Sequence, residues 1–113
     1  MISSDYIRGY NDLMILALLK ESDSYAYSLS KKMDLISNGK YIIKETTLYS
    51  AFTRLEKNGY IENYFMDEPS GGTKRKYYHL TKKGEIYLAE KKLEWEVTKL
   101  VVDKTLTWED KNE

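Results

Sequence analysis

Cysteine is absent from the 113 residues, which excludes disulfides and thiolate metal sites and makes a cytoplasmic protein the expectation. Histidine occurs once, as His79 between Tyr78 and Leu80, and no catalytic triad assembles around a lone imidazole in a presumed strand. No enzyme activity, cofactor or metal is therefore expected. With one proline and six glycines the chain lacks the composition of a disordered segment, and 42% hydrophobic residues are enough for one core. Long apolar runs are missing too: the longest, Leu13 to Leu19, falls far below the roughly 18 residues of a membrane-spanning helix. The opening Met1-Ile2-Ser3-Ser4-Asp5 has no charged stretch leading into an apolar one, so neither a secretory leader nor a membrane partner is expected.

Net charge is lacking as well, since 18 Lys and Arg balance 18 Asp and Glu. A nucleic-acid partner usually brings a basic excess, so the distribution decides. Between Gly71 and Lys83 stand Lys74, Arg75, Lys76, Lys82 and Lys83 with no acid among them, whereas Glu109, Asp110 and Glu113 crowd the C-terminus. The charges are locally separated.

Periodicity orders the rest. Asp5 to Lys20, ending in Leu13-Met14-Ile15-Leu16-Ala17-Leu18-Leu19, is apolar on all sides in its second half and predicts a central core helix. Glu21-Ser22-Asp23-Ser24 is a polar break rich in capping residues, and Tyr25 to Leu35 predicts a second helix with Tyr25, Leu29 and Met33 at helical spacing. Ser37-Asn38-Gly39-Lys40 is turn chemistry, followed by Tyr41-Ile42-Ile43 as a very short strand. Glu45 to Asn58 predicts a third helix through Leu48, Ala51, Phe52 and Leu55, with Asn58-Gly59 as its stop. Tyr60 to Met66 and Lys76 to Leu80 flank Pro69-Ser70-Gly71-Gly72 and form a β-hairpin pattern. Thr81 is placed to cap a last helix from Lys82 to Thr107.

Three helices, a hairpin with a basic tip and a long helix predict a mainly α, α+β fold. Residues 1–81 form a winged helix-turn-helix domain, 82–108 a C-terminal dimerisation helix and 109–113 a charged tail. In that arrangement the third helix enters the major groove of double-stranded DNA. With Leu48, Phe52 and Leu55 turned to the core, Thr46, Tyr49, Ser50, Thr53 and Lys57 emerge on the other side at about 100° per residue. Hydroxyls suit phosphate or base edges, and Lys57 can neutralise charge. The same face equally fits an ordinary solvated helix. Gly71-Gly72 tips the balance, because it permits a tight turn and close backbone approach and Lys74, Arg75 and Lys76 follow at once. The alternative for these cations is an edge strand guarded against aggregation. Strand alternation puts Arg75 with Tyr77 and Lys76 with Tyr78, so the three cations cannot all face one duplex strand, and Lys74 with Arg75 is the preferred pair. Gly71-Gly72-Thr73-Lys74 lacks the spacing of a Walker loop.

Thr47-Leu48-Tyr49, Arg54-Leu55-Glu56-Lys57-Asn58-Gly59-Tyr60-Ile61 and Gly71-Gly72-Thr73-Lys74-Arg75-Lys76-Tyr77-Tyr78-His79-Leu80-Thr81-Lys82-Lys83-Gly84 together resemble the PadR-like transcriptional regulators. With Leu13 to Leu19 and Tyr25-Ala26-Tyr27 the resemblance spans nearly the whole chain, and its single C-terminal helix is similar to the short subgroup that includes multidrug-sensing repressors. Glu45-Thr46 stands where the family often has Pro-Gly, Ser50 where a proline often follows, and Thr73 where the wing often has another arginine. The resemblance implies a homodimeric repressor of transcription and adds Thr47 to the DNA-binding set.

The last helix supports dimerisation independently. Ile86, Leu93, Val97 and Leu100 fall within roughly 60° of one another, and Leu88, Trp95, Val102 and Leu106 form a second stripe about 180° away. Two opposite apolar stripes call for two partners, one within the domain and one in a second subunit. By resemblance, Trp95 lines a pore between subunits where planar aromatic small molecules stack, with Leu88, Glu96, Lys99, Asp12 and Ile15 as neighbours. Trp95 fits a plain interface anchor equally well. A winged-helix module for protein contact without DNA is the competing reading of the whole chain, with zero net charge in its favour.

Overall fold

The computed structural model describes residues 2–69 and 71–111; Met1, Ser70 of the expected turn, and Asn112 and Glu113 of the charged tail lie outside the described residues. The order is α1 (Ser4–Ile7), a 3-10 turn (Arg8–Tyr10), α2 (Asn11–Glu21), α3 (Ala26–Ile36), α4 (Glu45–Lys57), β1 (Ile61–Met66), β2 (Arg75–Leu80) and α5 (Lys82–Leu106). This is the expected helix-dominated winged helix-turn-helix with one two-stranded antiparallel sheet.

Three local expectations are corrected. The single helix from Asp5 to Lys20 is split, with the 3-10 turn over Arg8–Tyr10 between α1 and α2; Gly9 lies in that turn, where its low helix propensity favours a break. Ser24 caps nothing: it is buried, and its N–H and C=O pair with Tyr78 at 3.2 and 2.8 Å, adding a one-residue bridge to the hairpin. Tyr41-Ile42-Ile43 forms no strand. Side chains take its backbone instead: the Tyr41 N–H donates to Ser37 Oγ at 3.0 Å, and the Ile43 carbonyl accepts from Ser30 Oγ at 3.3 Å. Ile43 still enters the core.

The ends of α4 and α5 follow from their capping residues. At the close of α4, the Gly59 N–H donates to the Glu56 carbonyl and the Tyr60 N–H to the Leu55 carbonyl, both at 2.9 Å. Gly59 has a φ of +77°, the left-handed geometry that glycine adopts without strain in this motif. Thr81 caps α5 as expected, accepting from the Gly84 N–H at 3.0 Å and donating to the Gly59 carbonyl at 2.7 Å.

The core draws on every helix from α2 to α5, through Leu16, Leu29, Phe52 and Leu88, and on the hairpin through Ile61 and Tyr78. Two aromatic stacks fix the hairpin within it. Phe52 of α4 lies on Tyr78 of β2 with ring centroids 3.9 Å apart, and Tyr60, just before β1, lies on Tyr87 of α5 at 4.0 Å. Each is worth about 0.5–1.5 kcal/mol beyond the area it buries. Gly84 lets α5 touch the hairpin base, for a Cβ there would overlap the Tyr60 carbonyl and crowd the Leu80 side chain.

The other face of β2 is tied to the entry of α3. Asp23 accepts from His79 Nδ1 at 2.8 Å and from the Tyr64 hydroxyl at 2.7 Å. Burial pushes the Asp23 carboxyl up, but the hydrogen bonds from Tyr64 and His79 outweigh it and hold the group below its ordinary 3.8. The bond to Asp23, followed by burial, pushes Tyr64 up to about 12.

Replacing Gly84 by Ala is expected to destabilise the fold by about 1–3 kcal/mol, as overpacking does, and to lower Tm in a thermal melt. Asp23 is depressed in the folded state, so its contribution is fully present above the ordinary carboxylate value of 3.8 and is lost as pH falls through the lower folded value. Melts between pH 6 and 2 are therefore expected to show a steeper acid loss for the native protein than for Asp23→Asn.

Candidate nucleic-acid interface

The outer face of α4 carries the expected side chains in the open. Thr46, Tyr49, Ser50, Thr53 and Lys57 are exposed and Thr47 is half-buried, along a face about 16 Å long at 1.5 Å per residue. Leu48, Ala51, Phe52 and Leu55 are buried behind them, so the helix cannot roll without breaking the core. Thr53 Oγ1 donates to the Tyr49 carbonyl at 3.0 Å, leaving that hydroxyl only its lone pairs to offer a base edge.

The three cations of the hairpin differ in how they are held. Lys74 and Lys76 are exposed, and Lys76 lines a cleft of about 340 Å³ together with Glu45 and Tyr49 of α4 and with Tyr25 and Arg75. Gly72 is exposed in the connecting loop, where Gly71 takes a φ of +79° and donates its N–H to the Glu68 carbonyl at 3.0 Å. Arg75 is engaged within the chain. Its Nε bonds Glu68, its Nη1 donates to the Tyr25 hydroxyl at 3.0 Å, and its guanidinium lies 4.5 Å from the Tyr25 ring centroid. Arg75 thus bridges the hairpin to Tyr25 at the entry of α3 while staying half-exposed, and Lys74 and Lys76 stand in the open. Alternation along β2 sets Tyr77 against Tyr25, with ring centroids 5.0 Å apart, and Tyr78 against Phe52 of α4. Burial, with Glu56 and Tyr49 nearby, pushes the Tyr78 hydroxyl up to about 12.

Arg54 escaped the sequence reading. It lines a shallow groove with Arg8, Thr46, Thr47 and Ser50, and its side chain turns back to Asp12 of α2, Nη2 to Oδ1 at 2.7 Å. The hydrogen bond to Asp12 raises its pKa further above the ordinary arginine value. Its place four residues after Ser50 was the available signal; the partner 42 positions away was not.

The expected ligand neighbours are dispersed. Trp95 and Asp12 line a groove of about 440 Å³ between the N-terminal segment and α5, where Tyr10 meets Trp95 edge-on at 5.0 Å. Leu88 and Glu96 line a different, more apolar trough between α2 and α5, together with Leu13, Met14 and Leu93. Ile15 has no exposed surface and is a core residue, a correction to its expected place beside Trp95. Its burial follows from α2 being enclosed on several sides. Lys99 is exposed and lines neither groove. Of the dimerisation set, Ile86, Leu93, Val97, Leu100, Val102 and Leu106 are all exposed in the single chain, and every residue from 99 to 111 lies open. The second stripe is half used within the chain, by Leu88 in the core and Trp95 against Tyr10; all four residues of the first stripe are exposed. No helix among the described residues is long and apolar enough to cross a membrane, and no group of three or more metal-ligating side chains is found among them.

Comparison with known proteins agrees with this architecture. The model of the transcriptional regulator PadR-like family matches residues 15–90. The chain is similar to a curated protein of Lysinibacillus sphaericus, 46% identical over 91% of this chain and 94% of the other. Among solved structures, a transcriptional regulator from Clostridium thermocellum is 54% identical with a TM-score of 0.84, covering 92% of this chain and 97% of that one. A PadR family transcription regulator from Clostridium difficile is 36% identical with a TM-score of 0.72, over 86% and 98% of the two chains. A PadR-like regulator from Bacillus cereus is 31% identical with a TM-score of 0.79, over 94% and 100%. With a family match that takes in both α4 and the hairpin, this chain belongs to the PadR-like family of transcriptional regulators.

Proposed function

We propose that this DNA-binding regulator acts in the cytoplasm as a homodimeric repressor, reading a palindromic operator with α4 and holding the backbone with Lys74 and Lys76. The observation that carries the reading is the exposed hydroxyl-rich face of α4 beside a hairpin that Phe52 and Tyr78 lock to it at 3.9 Å. Thr46, Thr47, Tyr49, Ser50, Thr53 and Lys57 meet the groove, and Gly72 allows close approach of the backbone. The exposed first stripe of α5 supports pairing with a second copy, which would set two α4 helices to successive major grooves about 34–36 Å apart. Residues 1–81 then serve as the DNA-binding unit and 82–108 as the dimerisation helix. A planar aromatic molecule in the Trp95 groove releases the operator by favouring a subunit orientation that DNA cannot accept, since only differential affinity moves such an equilibrium.

Mobility-shift titrations against salt test the DNA contacts. Lys74→Ala and Lys76→Ala are each expected to flatten the slope of log affinity against log salt by about 0.9 for every phosphate that is no longer neutralised, while Arg75→Ala weakens binding with a smaller change of slope because it loosens the hairpin. Unchanged slopes for both lysine variants, with Thr53 and Lys57 also replaceable at no cost to affinity, would leave a protein-contact module as the better reading. Leu100→Glu is expected to shift the chain toward a monomer in sedimentation velocity at micromolar concentration and to weaken operator binding with it.

A further inference from the structure

Asp12 stands where two grooves adjoin. Its carboxylate takes a forked hydrogen bond from Arg54, with Nη2 2.7 Å from Oδ1 and Nε 3.4 Å from Oδ2. Arg54 lines the shallow groove in front of α4, in company with Thr46, Thr47, Ser50 and Arg8. Asp12 itself lines the groove of Tyr10 and Trp95. A second pair repeats the pattern: Asp5 belongs to the Trp95 groove, and its partner Arg8, at 3.3 Å, belongs to the α4 groove. The boundary between the two grooves is thus a seam of ion pairs, with the carboxylates on the aromatic side and the guanidinium groups on the DNA-facing side.

The aromatic side has the chemistry of a cation site. Its volume of about 440 Å³ lies within the range of small-molecule pockets. Tyr10 and Trp95 offer ring surface, and Asp5, Asp12 and Glu94 stand against one lysine, Lys91, which is itself paired with Glu94 at 3.1 Å. Ring faces and carboxylates together attract an organic cation.

We propose that the Asp12–Arg54 ion pair couples the two grooves: a planar organic cation bound against Tyr10 and Trp95 competes with Arg54 for the Asp12 carboxylate, and the freed Arg54 no longer ties α4 to α2. This rests on the DNA-binding and Trp95 readings above and narrows the ligand to a cation. One carboxylate cannot satisfy both partners at full strength, so occupancy of one groove weakens the tie in the other. The helix itself stays seated by its buried stripe; what changes is the placement of the Arg54 guanidinium in the groove in front of α4, and with it the charge that this face offers a duplex. Linkage makes the effect reciprocal: whatever removes Arg54 from Asp12 must strengthen cation binding by the factor it takes from the coupling.

The test uses the full chain carrying Trp108→Phe, so that fluorescence reports Trp95 alone, with 1-methylquinolinium as the cation and 1-methylnaphthalene as its uncharged isostere. The cation is expected to quench Trp95 and to lower operator affinity about fivefold or more, within the usual range of coupling; the isostere is expected to leave operator affinity unchanged. Arg54→Gln is expected to bind the cation several-fold more tightly and to lose the response of DNA affinity to it. If Arg54→Gln does not bind operator at all, the fluorescence titration decides by itself. Quenching by the cation with the same affinity in the native chain and in Arg54→Gln overturns the coupling while leaving the ligand site standing. Absence of quenching by either probe overturns the ligand site and the coupling together, and native protein that binds no operator overturns the DNA reading.

Discussion

The stack of Phe52 on Tyr78, with centroids 3.9 Å apart, is the contact on which the rest of the molecule depends. It joins the inner face of α4 to the inner face of β2, so the helix that presents hydroxyls and the strand that presents Lys76 move as one body. Both rings are buried, and their neighbours Leu48, Ala51 and Leu55 leave α4 one orientation in which its apolar stripe is covered. The polar face is exposed as a consequence, not by a separate device. Tyr60 on Tyr87 and the close approach at Gly84 extend the same rigidity to the start of α5.

Charge follows a similar economy. The balance of 18 cations and 18 anions reads as indifference to DNA until the pairs are located. Arg8, Arg54 and Arg75 are each held by a carboxylate of the same chain, Asp5, Asp12 and Glu68. Arginine suits the pairs Arg54–Asp12 and Arg75–Glu68, whose carboxylates are part-buried, because its planar fork keeps its charge there. Lysines supply the outward charge near the candidate interface, at Lys57, Lys74 and Lys76. Arginines paired within the chain and exposed lysines beside α4 and on the hairpin thus let zero net charge coexist with a basic patch at the candidate interface.

The long last helix divides at about Thr98. Before it, Leu88 belongs to the core and Trp95 rests on Tyr10; beyond it, every residue from 99 to 111 is exposed, including Leu100, Val102 and Leu106. An apolar arm extending from a compact body gives the chain its 70 Å length against 30 and 21 Å across. Burial of that arm by a second copy is the simplest way to remove its apolar surface from water.

The element order, the buried stripe of α4, the stop at Asn58-Gly59, the cap at Thr81 and the two stripes of α5 were legible in the sequence, because each depends on residues within one or two turns of one another. The family was legible for the same reason, through contiguous runs such as Arg54 to Ile61 and Gly71 to Gly84. What tertiary structure alone decided are the pairings across long separations: Arg75 with Tyr25 at 50 positions, Arg54 with Asp12 at 42, and His79 with Asp23 at 56. Local periodicity says which side of a helix or strand a residue occupies. It does not say what stands opposite, and that is why the partners of Arg75 and Ser24 were not legible and why Ile15 read as a pore neighbour and proved core. Those outcomes were set by which elements the core brought face to face.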